Sequence, residues 1–291
     1  MAIKIRTTEK HPHPVWDKFV QAFPVAELQG FTLACSAEEL TAATKNHQGG
    51  IVIHCLEAIE YQDDSELIPE MIFSHQDWVN KISAAEFFGS PMLLLTYKEN
   101  DEVLFRLFEV RNTAEGIVFH PREVFIDEAA FMDFWIDIKK IKQTKKTVEA
   151  KERQALTLFD EIIERNGASW GGNMDGFVLS KDGAVKVIIE VRQSRKQSVT
   201  NYDPAKYFGG TQNKGGDFMT WLPMVYLKYA YNIPIVLITL STLDEELFGF
   251  TEVATISSSK LYYRDDISPT RRVTNDFEKF RKWLITLIER N

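Results

Sequence analysis

MDGFVLSKDGAVKVIIEVR, Met174 to Arg192, is the stretch whose pairing sets the architecture of the carboxyl-terminal half. Two runs rich in Val, Ile, Leu and Phe flank Asp182-Gly183, the dipeptide preferred in two-residue hairpin turns because both positions tolerate positive φ. Across such a loop the numbers of facing residues sum to a constant, 365, which sets Asp175 opposite Glu190. Directly opposed side chains have Cβ atoms about 4.5–5.5 Å apart on one face of the sheet. Two carboxylates so placed repel unless a cation lies between them. Hard divalent cations take such ligands, and Mg2+ typically uses one or two protein carboxylates with water and substrate phosphate. Register is decisive, because a three-residue loop would shift the pairing by one and turn the acids to opposite faces. Alternation puts Arg192 on the face of Glu190.

Outward from this hairpin, QSRKQSVTNYDPAKYFGGTQNKGG (Gln193–Gly216) is a long polar segment. Its Arg195, Lys196, Lys206 and Lys214 suit phosphates, and its Gln and Asn side chains suit base edges, so a DNA-facing loop is expected, with disorder as the alternative. Asp217 then caps a helix to about Tyr231, interrupted by Pro223, and PIVLITL (Pro234–Leu240) reads as a strand buried on both faces. Upstream, VEAKERQALTLFDEIIERNG (Val148–Gly167) places Ala155, Leu156, Phe159, Ile162 and Ile163 on one helix face, with Gly167 at the C-cap. Glu152 lies on that face one turn ahead, where a carboxylate marks either the wet end of the helix or a site.

The order of Glu152 on a helix, Asp175 opening a hairpin, Glu190 on its second strand, then a crossover helix and an apolar strand resembles the PD-(D/E)xK nuclease superfamily, which includes many type II restriction endonucleases. The resemblance covers roughly residues 148–241. It implies Asp175 and Glu190 as metal-binding acids, Glu152 as an accessory acid, Mg2+ as cofactor, and a domain over residues 146–291 with a mixed central sheet flanked by helices. Arg192 stands where the family usually has lysine, and Met174 where the motif has proline. The implied function is Mg2+-dependent hydrolysis of phosphodiester bonds in double-stranded DNA by a type II restriction enzyme, and cutting both strands favours a symmetric homodimer. A nuclease-derived DNA-binding protein with vestigial acids, in which Arg192 contacts phosphate, is the alternative. An unrelated α/β domain with a structural acid pair is the third reading.

The remainder of the chain bounds these readings. At 291 residues and 44% hydrophobic content, two domains are expected, divided near residue 145 in the basic stretch DIKKIKQTKK. Residues 1–145 read as mixed α/β, with strands in GFTLAC, GGIVIHCLEAIEY, PMLLLTYK, EVLFRLFEV and GIVFHPREVF and a helix in SHQDWVNKISAAEFF. This half is expected to supply specificity contacts or a dimer surface. His11 and His13 form a terminal pair without further ligands, which does not make a metal site. The net charge of −8 argues against a sequence-blind nucleic-acid coat, yet Ile138–Lys214 carries 15 Lys or Arg against 9 Asp or Glu. Cys35 and Cys55 in apolar stretches, no apolar run near the roughly 18 residues of a membrane span, and no signal-peptide pattern lead us to expect a cytoplasmic protein.

Overall fold

The computed structural model describes residues 3–5, 13–62, 67–98, 105–139, 158–168, 172–208, 216–264 and 271–290. The chain runs through β1 (Lys4–Ile5), α1 (Pro14–Ala22), β2 (Val25–Leu33), α2 (Ala37–Lys45), β3 (Ile53–Tyr61), α3 (Pro69–Ile72), α4 (His75–Phe87), β4 (Met92–Lys98), β5 (Phe105–Thr113), β6 (Gly116–Phe125), α5 (Glu128–Lys139) and α6 (Leu158–Arg165). It continues through β7 (Gly172–Leu179), β8 (Val185–Ser194), α7 (Pro204–Tyr207), α8 (Gly216–Tyr231), β9 (Ile235–Ser241), β10 (Asp244–Ser257), β11 (Lys260–Arg264), β12 (Arg272–Thr274) and α9 (Phe277–Glu289). The class is α/β, with parallel and antiparallel pairings and flanking helices. No helix among the described residues is long and apolar enough to cross a membrane.

Two compact units interleave in sequence. The first comprises Met1–Thr8, Glu27–Ser36 and Ile51–Asn173, and the second Glu9–Ala26, Ala37–Gly50 and Met174–Asn291. A single cut near residue 145, which itself lies outside the described residues, does not separate them. The reason is an amphipathic stripe far from that cut. Val15, Phe19 and Phe23, spaced four apart at the start of the chain, are buried with Val178, Val187, Phe248 and Phe280 of the carboxyl-terminal half. His13 starts that helix: its Nδ1 accepts from Val15 N–H at 3.2 Å while Nε2 donates to the Asp244 carbonyl at 2.9 Å. Those two bonds give His13 a capping role.

In the second unit the strand order is β11-β10-β9-β8-β7, with β12 also on β10. β8 is antiparallel to β7 and parallel to β9. A parallel neighbour requires a crossover, and α8 supplies it. On one face of β8, Val187 and Ile189 join Phe19, Phe280 and Leu284. On the other, Arg192 lies over the Trp221 ring of α8, and alternation puts Ile188 and Glu190 on that same face.

In the first unit, β3 pairs parallel with β4, and β4, β5 and β6 follow as an antiparallel meander. Ser74 caps α4 by accepting from Asp77 N–H at 3.2 Å. Phe159, Ile162 and Ile163 of α6 are buried as their spacing predicts, but among Phe105, Phe131 and Trp135 of this unit. The helix expected to open the nuclease-like domain thus belongs to the other core.

Lys139 ends α5 and is buried, and loss of hydration pushes its ammonium down to about 8, opposed by the nearby Cys35. The unfolded chain holds that proton up to about pH 10.4, so between about 8 and 10 the unfolded state binds the extra proton and stability rises with pH. Below about 8 both states are protonated and the contribution is flat. Urea midpoints of wild type and Lys139→Met from pH 7 to 10 should diverge, with the wild type gaining stability relative to the variant as pH rises. Parallel curves would remove this assignment.

Candidate functional site

The β7–β8 hairpin reaches the expected register by an unexpected route. Gly176↔Ile189, Phe177↔Ile188 and Val178↔Val187 face each other, as a sum of 365 requires. The connection is not a two-residue Asp-Gly turn. Ser180 N–H donates to the Ala184 carbonyl at 2.9 Å, enclosing Lys181, Asp182 and Gly183, and Gly183 adopts φ +83°. That loop alone would slip the pairing by one, but the register shifts between Val178 and Leu179, where Leu179 faces Val185 and Lys186 is the extra residue. A three-residue loop with a left-handed glycine and a bulge on one strand restore the original parity. One step beyond the Gly176↔Ile189 pair, alternation carries Asp175 and Glu190 to the same face.

Both acids are engaged. Asp175 is half-buried and its Oδ2 accepts from Val191 N–H at 2.6 Å, taking the place of a main-chain partner. Glu190 is 4% exposed, with Oε1 3.0 Å from Nη2 of Arg192. The Arg192 guanidinium also lies 5.6 Å from the centre of the Trp221 ring. One cation therefore balances the buried carboxylate on one side and meets an aromatic face on the other. Among the described residues, no group of three or more His, Cys, Asp or Glu side chains converges. Two carboxylates on one face are donors of the type a hard divalent cation takes, and Asp175 and Glu190 would be the residues to hold one. Such an ion would share Glu190 with Arg192. Glu152, the expected accessory acid, lies outside the described residues, and so does Lys214.

Arg195, Lys196 and Lys206 are exposed on the segment leaving β8. The described part of that segment, residues 193–208, is held in place by hydrogen bonds, against the alternative of disorder. Ser194 Oγ accepts from the N–H groups of Lys196 and Gln197 at 3.2 and 3.0 Å, and Ser241 Oγ donates to the Gln197 carbonyl at 2.7 Å. Val199 N–H donates to Asp244 Oδ2 and Arg271 Nη2 to the Val199 carbonyl, each at 2.7 Å. Asp203 caps α7 by accepting from Ala205 N–H at 3.1 Å, and the Tyr263 hydroxyl donates to the same Asp203 oxygen at 2.5 Å. Burial and that carboxylate push the Tyr263 phenol well above its usual range, so it stays a donor. Residues 209–215 lie outside those described.

Near the carboxyl end of β8, a cleft of about 130 Å³ is lined by Arg192, Tyr202, Tyr207, Phe208, Trp221 and others. Open α/β sheets commonly bind ligands beyond the carboxyl ends of parallel strands. Tyr202 and Tyr207 stack at 5.7 Å between centroids, and the Tyr207 hydroxyl donates to Gln197 Oε1 at 2.9 Å. Comparison with protein-family models, curated proteins and solved structures finds no match. Sequence reasoning placed the two tyrosines in a loop and missed the cleft. Its wall residue Trp221 and its brace Arg271 lie far along the chain, and nothing local distinguishes them from core and surface residues. Arg271 lies over Gly249, whose missing side chain leaves the room, and loss of hydration pushes its guanidinium down, opposed by Asp203.

Proposed function

We propose that the protein is a Mg2+-dependent endonuclease acting on double-stranded DNA as a homodimer of restriction type. The observation that supports this reading best is the hairpin register, which sets Asp175 and Glu190 on one face beside Arg192. Asp175 and Glu190 would hold the ion, with Val191 N–H orienting the Asp175 carboxylate. A bound Mg2+ supplies Lewis-acid stabilisation of the developing phosphorane charge and lowers the pKa of water for in-line attack. Arg192 offers a permanent positive charge and a planar fork of donors for phosphate oxygens, and its high pKa excludes it as a general base at neutral pH. Arg195, Lys196 and Lys206 would track the backbone away from the cut.

A second reading, DNA binding without cleavage, is favoured by one specific observation. The Arg192–Glu190 pair at 3.0 Å already neutralises one of the two metal acids. Incubating the purified chain with plasmid DNA and Mg2+ or Mn2+, with a chelator control and a parallel mobility-shift assay, separates the two. Metal-dependent nicking or linearisation is expected; binding without cleavage under either metal would establish the second reading. In the same assay, replacing Arg195, Lys196 and Lys206 together with Ala should flatten the log-log salt dependence by about 0.9 for each lost phosphate contact. An unchanged slope would move the DNA path elsewhere.

A further inference from the structure

We infer that the aromatic cleft beside Arg192 receives a single unstacked nucleobase of the DNA, adjacent to the acid pair. This rests on the reading of the second unit as a DNA-acting domain and assigns a new subsite to it. Size is the first argument. Pockets for whole small-molecule ligands typically span about 300–1,000 Å³. At about 130 Å³ this cleft admits one planar ring system rather than a complete cofactor. Chemistry is the second. Tyr202 and Tyr207 are the accessible rings of the lining, Phe208 and Trp221 being 6% and 2% exposed, and every base offers a π-face to such rings whatever its sequence. Tyr207 is 47% exposed although its ring stacks on Tyr202 at 5.7 Å, so part of a large ring stays in water.

Charge is the third argument. A base brings its own phosphates, and the cations nearest in sequence to the cleft walls, Lys206 on α7 and Lys196 before it, are exposed to meet them. Arg192 links the subsite to the chemistry, since the same guanidinium lines the cleft and pairs with Glu190 at 3.0 Å. The walls are also braced before any ligand arrives. The Tyr263 hydroxyl ties Asp203, next to Tyr202, and Arg271 ties Val199, so little ordering entropy remains to oppose binding.

The test compares a mixed-sequence single-stranded deoxyoligonucleotide with an abasic oligonucleotide of equal length, using the full chain in the presence of a chelator. Both probes carry the same phosphates, so the electrostatic part of binding cancels in the ratio. The wild type should prefer the base-bearing strand by about 5- to 150-fold, the range expected for one base stacked on aromatic side chains. Tyr207→Ala, at an exposed position, should lose that preference while keeping its affinity for the abasic strand, and Tyr207→Phe should retain it. Equal wild-type affinity for the two strands, or binding of neither, overturns the inference. A preference that survives in Tyr207→Ala overturns it too. Plasmid cleavage with Mg2+, measured separately, reports on the endonuclease reading: cleavage without base preference leaves that reading standing, and base preference without cleavage leaves the subsite standing as part of a DNA-binding protein.

Discussion

Replacing Lys81 with methionine is expected to destabilise the protein by about 3–5 kcal/mol, the usual cost of removing one partner from a buried ion pair. Lys81 on α4 places Nζ 2.8 Å from Glu57 Oε1 on β3, with side chains 4% and 0% exposed. The ammonium also donates to the Glu27 carbonyl and lies 4.3 Å from the centre of the Phe73 ring. Glu57 Oε1 accepts in addition from Gln29 N–H at 3.2 Å, and Oε2 is buried with no hydrogen-bond partner among the described residues. Methionine fills the volume of the lysine stem but leaves a buried carboxylate without its counter-charge. The double substitution Lys81→Met, Glu57→Leu should recover most of the loss, because paired removal eliminates both desolvation costs. Equilibrium urea denaturation of the three variants checks this. A single variant as stable as the wild type would end the ion-pair account of this site.

Under the proposed endonuclease reading, loss of cleavage in Asp175→Ala and in Glu190→Gln is the second large effect expected. If the two carboxylates hold the ion, either change should reduce Mg2+-dependent cleavage by at least about 1,000-fold, equivalent to the several kcal/mol that a positioned metal contributes. DNA binding should move in the opposite direction. Removing the Glu190 charge releases Arg192 from its pair, so Glu190→Gln should bind DNA more tightly, most visibly at low salt. A merely structural role for the pair would lower both binding and melting temperature together. Full cleavage activity in either variant would end the metal-site reading.

Much of the hairpin was legible in the sequence because its signals are local. Branched and aromatic runs around Asp182-Gly183, period-two alternation and the Glu190–Arg192 spacing depend on neighbours within a few residues, and the strands form where those patterns lie. Register was legible only as a parity. The actual loop encloses three residues, and a bulge at Lys186, which no composition rule announces, returns Asp175 to the face of Glu190.

Local pattern also placed the crossover helix α8 with its internal Pro223 and the apolar strand β9. It made Phe159, Ile162 and Ile163 a buried stripe, yet which core that stripe enters depends on partners more than 20 residues away, Phe105 and Phe131 among them. The same holds for Val15, Phe19 and Phe23, whose periodicity says that they are buried and is silent about their joining Phe248 and Phe280. Amphipathic periodicity states that a face must be covered, not by what. The cleft is the extreme case. Arg192, Tyr202, Tyr207 and Trp221 come from a strand, a turn and two helices, and the braces Tyr263 and Arg271 come from beyond the region that carries the motif. Residue types and spacing therefore sufficed for the hairpin strands, α8 and β9, whereas the loop and bulge that set the hairpin register, the partition into units and the aromatic cleft are decided only in the tertiary structure, the last two by side-chain packing between segments distant in the chain.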